Sequence, residues 1–485
     1  MSEAKSYISS LFKGKGIVIP SERQNLFDDF VNAESNINMV EKIIDNQLIL
    51  MKNWKILNRI FDIKKQSIVI PNGRVGEAYQ AKIDLEQWNL TDLSFAVIET
   101  IPETGLSFDK ETNSIVGMPA KNGDFKFKFL FRVNGEPDDE PPHEKQLLIV
   151  INPDPKTLWK NLPSDKKAIF WKKDNDVAYD QLGKKHIIAA SKRGRSHQNA
   201  GSFRDDDFAF VYIEKNAWSV VAVSDGAGSY PLSRKGSQVA CNTIVEYFQQ
   251  ADDLNLNQEF EAQIQNFIQT KDETVLQQLE NLSKQILYKA TVAVHKKIKE
   301  IAIETHTQYP ELFNNPKAKS VLDYFHTTLI FTLFKKYEFG YLILTFGVGD
   351  CPIAVVNKEK TETKLLNWLD VGEFGGGTRF ITQPEIFHSQ ENPMSTRFKF
   401  HVISDFSYLF LMTDGIYDPK FIVEANLEKH EKWLEFLADL QGKNEDNINI
   451  FEPSPVNRYS TRRLLHWMDF WDKGNHDDRT LAIIF

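Results

Sequence analysis

The N-terminal part of the chain is marked by apolar side chains at helical spacing. In residues 1–63 these side chains recur three and four positions apart, as at Phe27, Phe30 and Val31, which predicts amphipathic helices. Such a helical lead-in could pack on a neighbouring domain or on another protein. Packing within the chain is the favoured use.

Residues 64–152 instead carry short apolar runs separated by turn residues, a pattern that predicts strands. At 125–129, Phe alternates with Lys, which is typical of a sheet with one face on a core and the other in water. The predicted strands are 67–70, 95–98, 125–129 and 147–150. We therefore expect a small all-β domain of the sandwich type here.

A third pattern begins at residue 153. The segment 153–180 contains Pro153, Pro155 and Pro163 among many charges, which predicts a linker or an irregular strap. Beyond it, from 181 to 485, strands precede and follow a group of helices. The predicted helices are 233–250, 258–269 and 272–304, and the predicted strands are 208–213, 218–223, 327–333, 341–346, 353–356, 400–404, 408–412 and 480–485. This order predicts an α+β domain built in layers.

Composition and charge narrow the class of protein. The chain of 485 residues has 41% hydrophobic and 26% charged residues, which is ordinary for globular domains, and its length predicts several domains. A net charge of −9 disfavours nucleic acid as a partner, because a nucleic-acid-binding surface needs clustered Lys and Arg.

Cellular location can be predicted from the cysteines and from the apolar runs. Cys241 and Cys351 are predicted to be buried thiols rather than a disulfide, which favours a reducing compartment. The first residues lack the layout of a secretion signal, and no run of about 18 apolar residues occurs. We expect a cytoplasmic protein without a membrane partner.

Candidate chemistry lies where apolar runs meet acidic turns. Run 221–223 leads into Asp225-Gly226, and the same form recurs elsewhere. The acidic positions at predicted strand ends are Asp206, Asp225, Asp350, Asp414 and Asp477. Carboxylates converge when cations neutralise them, and oxygen ligands without His or Cys clusters select Mg²⁺ or Mn²⁺. Two such ions would lower the pKa of a shared water from about 15.7 towards about 7, which indicates a hydrolase.

The order of these motifs resembles the protein phosphatase 2C family of metal-dependent Ser/Thr phosphatases, especially its bacterial branch, over residues 181–485. The motifs are the acidic cluster Asp205-Asp206-Asp207, Asp225-Gly226 with Gly228, Thr327-Thr328-Leu329, Gly349-Asp350, Asp414-Gly415 and Asp477-Asp478-Arg479-Thr480. The resemblance implies a layered α/β-sandwich in which helices pack on two antiparallel sheets. It also implies a phosphoprotein substrate, with a cognate Ser/Thr kinase as a candidate partner.

The same resemblance implies roles for individual residues. The metal ligands would be Asp206, Asp225, Gly226, Asp350, Asp414 and Asp477. Asp225 would bridge two ions of Mn²⁺ or Mg²⁺, and Gly226 would contribute its carbonyl to one of them. Asp206 would serve that same ion, directly or through water, whereas Asp414 and Asp477 would hold the other. Asp350 is a candidate for a third, weaker site.

Two positions depart from the family pattern. Ala227 stands where many members have a His that protonates the leaving group. Gly201 stands where the Arg that binds substrate phosphate is usual, and nearby Arg193, Arg195 and Arg204 are candidates to replace it. We expect Arg204 to take this role. His197 could contact phosphate or cap a strand, and capping is the favoured role.

Residues 105–125 within the predicted sandwich, with Gly105, Phe108, Gly117 and Pro119, resemble the motif of immunoglobulin-like domains of the cadherin-like kind. This resemblance implies a spacer or docking module without chemistry of its own. The expected domains are therefore a lead-in over 1–63, an immunoglobulin-like β-sandwich over 64–152, a linker over 153–180 and a phosphatase domain over 181–485.

Three functions are compatible with this organisation. A phosphatase is favoured. A phosphatase-like module that binds phosphoproteins or a partner without turnover is the alternative, since the usual phosphate Arg and leaving-group His are missing. A purely structural docking protein would leave the acidic strand ends unexplained. Because the predicted ligands begin at Asp206, we also expect a fragment that starts near Lys173 to keep its chemistry on a small aryl phosphate.

Overall fold

A computed structural model describes residues 3–250, 255–370, 377–390, 392–452 and 455–485. The chain forms two compact units, Met1–Leu158 and Trp159–Phe485. The domain limits expected from the sequence at 63, 152 and 180 stay predictions.

Unit 1 begins with three helices, as the spacing of apolar residues predicts. They are α1 (Glu3–Gly14), α2 (Gln24–Asn32) and α3 (Glu34–Lys65). Ile8, Phe27 and Val31 are buried between them, together with Val40 near the start of α3. Other apolar residues of α3, such as Trp54, are exposed. Some of the regularly spaced apolar residues of α3 therefore lie in a core and others lie on the surface.

The rest of unit 1 consists of seven strands in two sheets. The strands are β1 (Gly73–Arg74), β2 (Tyr79–Lys82), β3 (Leu93–Glu99), β4 (Leu106–Asp109), β5 (Ser114–Gly117), β6 (Gly123–Val133) and β7 (His143–Asn152). The sheet orders are β1-β7-β6-β3 and β2-β5-β4. Phe127 and Phe129 of β6 are buried while Lys126 and Lys128 are exposed, so the predicted alternation is confirmed.

The strand predicted at 67–70 is wrong, because these residues have irregular backbone. Ile70 nevertheless packs in the core. The following residue, Pro71, has no N–H group to donate to a neighbouring strand, which disfavours a strand here. The small all-β part predicted from sequence is present, and its immunoglobulin-like identity stays a prediction.

Unit 2 contains eleven strands among its described residues. They are β8 (Asn175–Leu182), β9 (Lys185–Lys192), β10 (Asp207–Ile213), β11 (Trp218–Ser224), β12 (Leu329–Tyr337), β13 (Gly340–Val348), β14 (Ile353–Asn357), β15 (Thr363–Leu365), β16 (Phe398–Ile403), β17 (Phe406–Met412) and β18 (Arg479–Ile484). One sheet has the order β10-β11-β12-β13-β16, and the other has the order β15-β14-β17-β18-β9-β8. The ladders between neighbouring strands in both sheets are antiparallel.

The described helices of unit 2 are α4 (Arg195–Ala200), α5 (Ser233–Gln250), α6 (Asn255–Thr270), α7 (Glu273–Gln308), α8 (Glu385–His388), α9 (Asp414–Phe421), α10 (His430–Leu440) and α11 (Ser460–Trp467). Helices α5, α6 and α7 correspond to the three that the sequence predicts. Asp272 caps α7 by accepting a hydrogen bond from the N–H of Thr274 at 2.8 Å, a typical start for a helix.

Side-chain alternation in the central strands explains the layers. In β11, Val220 and Ala222 pack with α5, α6 and α7, whereas Val221 and Val223 pack between the two sheets. In β17, Phe410 packs with α9, α10 and α11 on the outside of the other sheet. Because both faces of these strands are covered, their sequences are continuously apolar. The predicted α+β fold, with helices packed on two antiparallel sheets, is confirmed.

The segment 153–180, predicted as a linker or strap, ends in a strand. Residues from 175 onward form β8, which pairs with β9. Before β8, the rings of Trp159 and His476 lie 4.4 Å apart between centroids, and the Leu162 carbonyl accepts a hydrogen bond from Arg193 at 2.9 Å. A fragment that starts near Lys173 would lose these contacts, so the expected start of an active fragment moves from Lys173 to Trp159.

Among the described residues, no helix is both long enough and apolar enough to cross a membrane.

Candidate metal centre

The strand register brings the acidic turns to one edge of unit 2. In the antiparallel pair β10 and β11, Asp207 lies opposite Ser224, so Asp206 and Asp225 lie at the same end of this pair. In the pair β17 and β18, Met412 lies opposite Leu481. Asp414, just after β17, and Asp477, just before β18, therefore lie at the same end of this pair. Hydrogen bonds from the hydroxyls of Thr413 and Thr480 to Asp206 join the two pairs, so four loops that are distant in sequence converge.

Two glycines let these loops approach backbone to backbone. A Cβ on Gly226 would lie 2.6 Å from the carbonyl oxygen of Asp205, and one on Gly415 would overlap the carbonyl oxygen of Asp478. Any larger residue would push the acidic loops apart. The Asp-Gly pairs thus serve close packing of one acidic loop on the next.

Asp206 is the most deeply buried of the predicted carboxylate ligands, with 1% of its surface exposed. Its Oδ2 accepts hydrogen bonds from the hydroxyls of Thr413 and Thr480, each at 2.8 Å. Burial, followed by the charges of Asp478 and Asp477, raises the pKa of Asp206 to about 7. Both described hydrogen bonds of this carboxylate reach one oxygen, which leaves Oδ1 for another ligand.

Asp225 is anchored through its backbone. Its N–H donates to Thr328 Oγ1 at 2.9 Å, and its carbonyl accepts from the Thr328 N–H and from Thr327 Oγ1, both at 2.8 Å. Burial and the neighbouring carboxylates, first Asp414 and then Asp206, raise the pKa of Asp225 well above its usual value. The Thr327-Thr328 motif therefore positions this aspartate.

Asp350 and Asp414 complete the predicted set with Asp477. Asp350 Oδ2 accepts a hydrogen bond from Thr378 Oγ1 at 2.8 Å, while its buried Oδ1 has no hydrogen-bond partner among the described residues. Asp414 is the first residue of α9, and burial, then Asp477 and Asp350, raises its pKa well above the usual range. Asp477 is exposed, so this edge is open to solvent.

The donor set fits hard divalent cations. Ligand atoms of Asp225, Asp350 and Cys351 lie within 4.8 Å of one another. Burial raises the pKa of the Cys351 thiol well above its usual value, so this sulfur is protonated and is a poor ligand. The clustered carboxylates and the unpartnered oxygen of Asp350 match the all-oxygen ligation that Mg²⁺ and Mn²⁺ prefer. Cations would also relieve the repulsion that raises these pKa values.

His197 and Asp478 form a pair that the sequence does not predict. His197 Nδ1 lies 3.0 Å from Asp478 Oδ1, and Asp478 also accepts hydrogen bonds from the N–H groups of Gly194, at 2.6 Å, and Asp205, at 2.5 Å. Burial alone would lower the pKa of His197, but the Asp478 and Asp205 carboxylates raise it to about 10. Asp478 thus ties three loops together, and only its place beside Asp477 could have singled it out.

Arg204, expected to bind substrate phosphate, points into the protein. It is 2% exposed, and its Nη1 donates to the Asp206 carbonyl at 2.7 Å and to Ser191 Oγ at 2.6 Å. Its Nε donates to the Lys173 carbonyl at 3.1 Å. This geometry does not support the expected phosphate contact, because Nε and Nη1 donate to internal acceptors and the side chain is almost fully buried. The sequence alone does not show whether an Arg side chain points into the protein or towards a substrate.

The other two candidates are held by acceptors as well. Arg193 is 3% exposed and donates to Ser202, Asn161 and Leu162. Arg195 is partly exposed, with Nη2 donating to the Asp469 carbonyl at 2.6 Å. None of the three therefore stands free beside the acidic cluster.

Comparison with known proteins gives a match to one family model. The model for protein phosphatase 2C matches residues 193–451, which include Asp206, Asp225, Asp350 and Asp414 but not Asp477. No curated protein matches the chain.

Solved structures with similarity to the chain include three bacterial proteins. The Ser/Thr phosphatase Stp1 from Staphylococcus aureus has 14% sequence identity and a TM-score of 0.32, over 66% of this chain and 98% of that chain. The catalytic domain of the Ser/Thr protein phosphatase PstP, solved with two manganese ions, has 15% identity and a TM-score of 0.33, over 64% and 98%. A bacterial serine phosphatase has 14% identity and a TM-score of 0.32, over 61% and 96%.

Proposed function

The chain belongs to the protein phosphatase 2C family, and on that premise we propose that it hydrolyses phospho-Ser and phospho-Thr in protein substrates with the help of two divalent cations. The observation that carries the proposal is the convergence of Asp206, Asp225 and Asp414 at one edge of the two-sheet domain, where burial and neighbouring carboxylates raise the pKa of each. A phosphoprotein is the expected substrate, and the Ser/Thr kinase that phosphorylates it is a second partner that we propose.

The proposed ligands of the ions are Asp206, Asp225, Gly226, Asp350, Asp414 and Asp477. Asp225 would be shared between two ions, and Asp350 would serve a third. When bound, Mn²⁺ or Mg²⁺ would polarise a phosphoryl oxygen and lower the pKa of a water towards about 7. The hydroxyls of Thr413 and Thr480 hold Oδ2 of Asp206 in place. This supports a role for the other oxygen, Oδ1, as the one that would face a cation.

Solvent supplies the proton of the leaving group in this proposal. Ala227, at the position after Asp225-Gly226, has no proton to give. The neighbouring Gly228 and Ser229 are exposed, so water reaches the departing Ser or Thr oxygen of the substrate. Binding of the phosphate itself would depend on the cations, since Arg193, Arg195 and Arg204 donate to acceptors within the protein.

Phosphate release measures the proposed activity directly. Phospho-Ser, phospho-Thr and phospho-Tyr peptides and an aryl phosphate are each assayed with Mn²⁺, with Mg²⁺ and with chelator. We expect release from phospho-Ser and phospho-Thr peptides with either cation and none with chelator. A protein that binds these peptides but releases no phosphate would be the phosphatase-like binding module instead, and the proposed activity would be rejected.

A further inference from the structure

Lys172 lies just before β8, outside the residues 193–451 that the family model matches. It is nevertheless among the more deeply buried lysines of the described chain, with 8% of its surface exposed. A buried ammonium group is costly unless it has partners. Its partners therefore indicate why the chain places a Lys here.

Those partners all belong to the acidic turn of Asp206 or to the helix beside it. Lys172 Nζ donates to the Asp206 carbonyl at 2.6 Å and to Asp207 Oδ2 at 3.0 Å. Longer contacts reach Ser237 Oγ at 3.3 Å and the Asp205 carbonyl at 3.4 Å. Ser237, on α5, itself donates to the Asp205 carbonyl. Three consecutive residues of the acidic turn are thus in contact with one ammonium group.

Arg204 shares the central acceptor of this arrangement. Its Nη1 donates to the same Asp206 carbonyl at 2.7 Å, and Asp207 Oδ1 lies 3.7 Å from the guanidinium. The carboxylate of Asp207 therefore compensates the buried positive charges of Lys172 and Arg204, which both donate to the Asp206 carbonyl oxygen. Two charge-assisted hydrogen bonds to one carbonyl fix the orientation of that peptide more firmly than neutral bonds would.

We propose that Lys172 is a positioning residue of the metal centre, which acts by fixing the Asp206 backbone so that its carboxylate faces the cations. The inference rests on the proposed function. The peptide plane determines where the Asp206 side chain leaves the backbone, and the hydroxyls of Thr413 and Thr480 then hold the carboxylate. Replacing a residue that holds a metal ligand in place typically lowers metal affinity by about 10- to 100-fold.

Mn²⁺ binding to the metal-free full chain tests this role without requiring turnover. Lys172→Met keeps the aliphatic stem and removes the charge and the donors. Lys173→Met is the matched control, because Lys173 is the next residue and its side chain is exposed. By calorimetric titration, we expect the Mn²⁺ dissociation constant to rise about tenfold in Lys172→Met and to stay at the wild-type value in Lys173→Met.

A purely structural Lys172 gives a different result. In that case Lys172→Met lowers the melting temperature of the metal-free protein but binds Mn²⁺ with a dissociation constant within about twofold of wild type, and the proposal is overturned. If Lys172→Met does not fold, Lys172→Gln takes its place, since Gln keeps an N–H donor without the charge. The same weakening of Mn²⁺ binding is expected, and wild-type affinity would overturn the proposal.

The outcomes also separate this inference from the proposed function. A wild-type chain that binds Mn²⁺ but releases no phosphate would reject the activity and leave the Lys172 comparison intact. A wild-type chain that does not bind Mn²⁺ would reject both. In an active enzyme, the Mn²⁺ concentration for half-maximal activity should rise in Lys172→Met while KM for a phosphopeptide at saturating Mn²⁺ stays unchanged.

Discussion

The hydroxyl of Thr413 donates to Asp206 Oδ2 at 2.8 Å although the two residues are 207 positions apart. Asp206 precedes β10 of one sheet, and Thr413 follows β17 of the other. This hydrogen bond therefore ties together the two sheets where the candidate ligands meet. Thr413 Oγ1 also accepts from the N–H of Thr480 at 3.0 Å, so one side chain connects three loops.

Replacing Thr413 by Val should weaken both the fold and the metal centre. The change keeps the shape but removes a buried hydrogen bond to a carboxylate, which costs about 1.5–3 kcal/mol. We expect a lower melting temperature and a weaker Mn²⁺ affinity. Thr332→Val is the control, because Thr332 is equally buried and donates to the Leu344 carbonyl within its sheet. Equal Mn²⁺ affinity in both variants would contradict a role for Thr413 in positioning Asp206.

Removing cations should destabilise the chain in a pH-dependent way. The pKa of Asp205 and that of Asp206 are each raised to about 7 from the usual 3.8 of an aspartate, mainly by burial, with Asp478 next in both cases. Between about pH 4 and about pH 7 the folded chain thus binds more protons than the unfolded chain, and its stability falls as pH rises. His197, with its pKa raised to about 10, adds to the same trend above about pH 6.5.

Melting curves from pH 5.5 to 7.5 measure this effect. With chelator, the melting temperature should fall as pH rises, and saturating Mn²⁺ should raise it and flatten the slope, because bound cations stabilise the folded state. Asp206→Asn should melt at a higher temperature than wild type at pH 7.5 without metal. Curves that are identical with Mn²⁺ and with chelator would count against a preformed metal site.

Residues 159–174, which precede β8 and which we call the strap, determine where an active fragment can begin. A chain starting at Trp159 keeps the contacts of Trp159 with His476 and of Lys172 with Asp206, whereas one starting at Lys173 loses both. On an aryl phosphate with Mn²⁺, we expect the longer fragment to retain most of the kcat/KM of the full chain and the shorter one to lose most of it. Similar values for the two fragments would show that the strap is dispensable.

Local patterns sufficed for much of the fold and for the place of the site. The run 221–223 and the turn at Asp225 predict a buried strand that ends in an acidic loop, and β11 with Asp225 agrees. Strand β9 was missed, because Ile187 to Ala190 form a short apolar run without the period of a half-buried strand.

Contacts between distant segments could not be predicted in this way. Lys172 lies in a segment whose prolines and charges favour a linker, and only the folded chain brings it to Asp206, 34 positions away. Arg204 shows the same limit, since its sequence context is equally compatible with a substrate contact and with an internal support. The direction of a long side chain depends on acceptors that the fold assembles.

The central claim, that these carboxylates form a metal-dependent phosphatase centre, is tested most directly by Asp225→Asn. Phosphate release from a phospho-Thr peptide at saturating Mn²⁺ is compared in wild type, Asp225→Asn and the control Asp418→Asn, whose residue is exposed on α9. We predict that Asp225→Asn lowers kcat/KM by at least about 100-fold, the scale of losing one preorganised electrostatic group, with an unchanged circular dichroism spectrum. Asp418→Asn should stay close to wild type. An Asp225→Asn protein that keeps wild-type turnover would contradict the account.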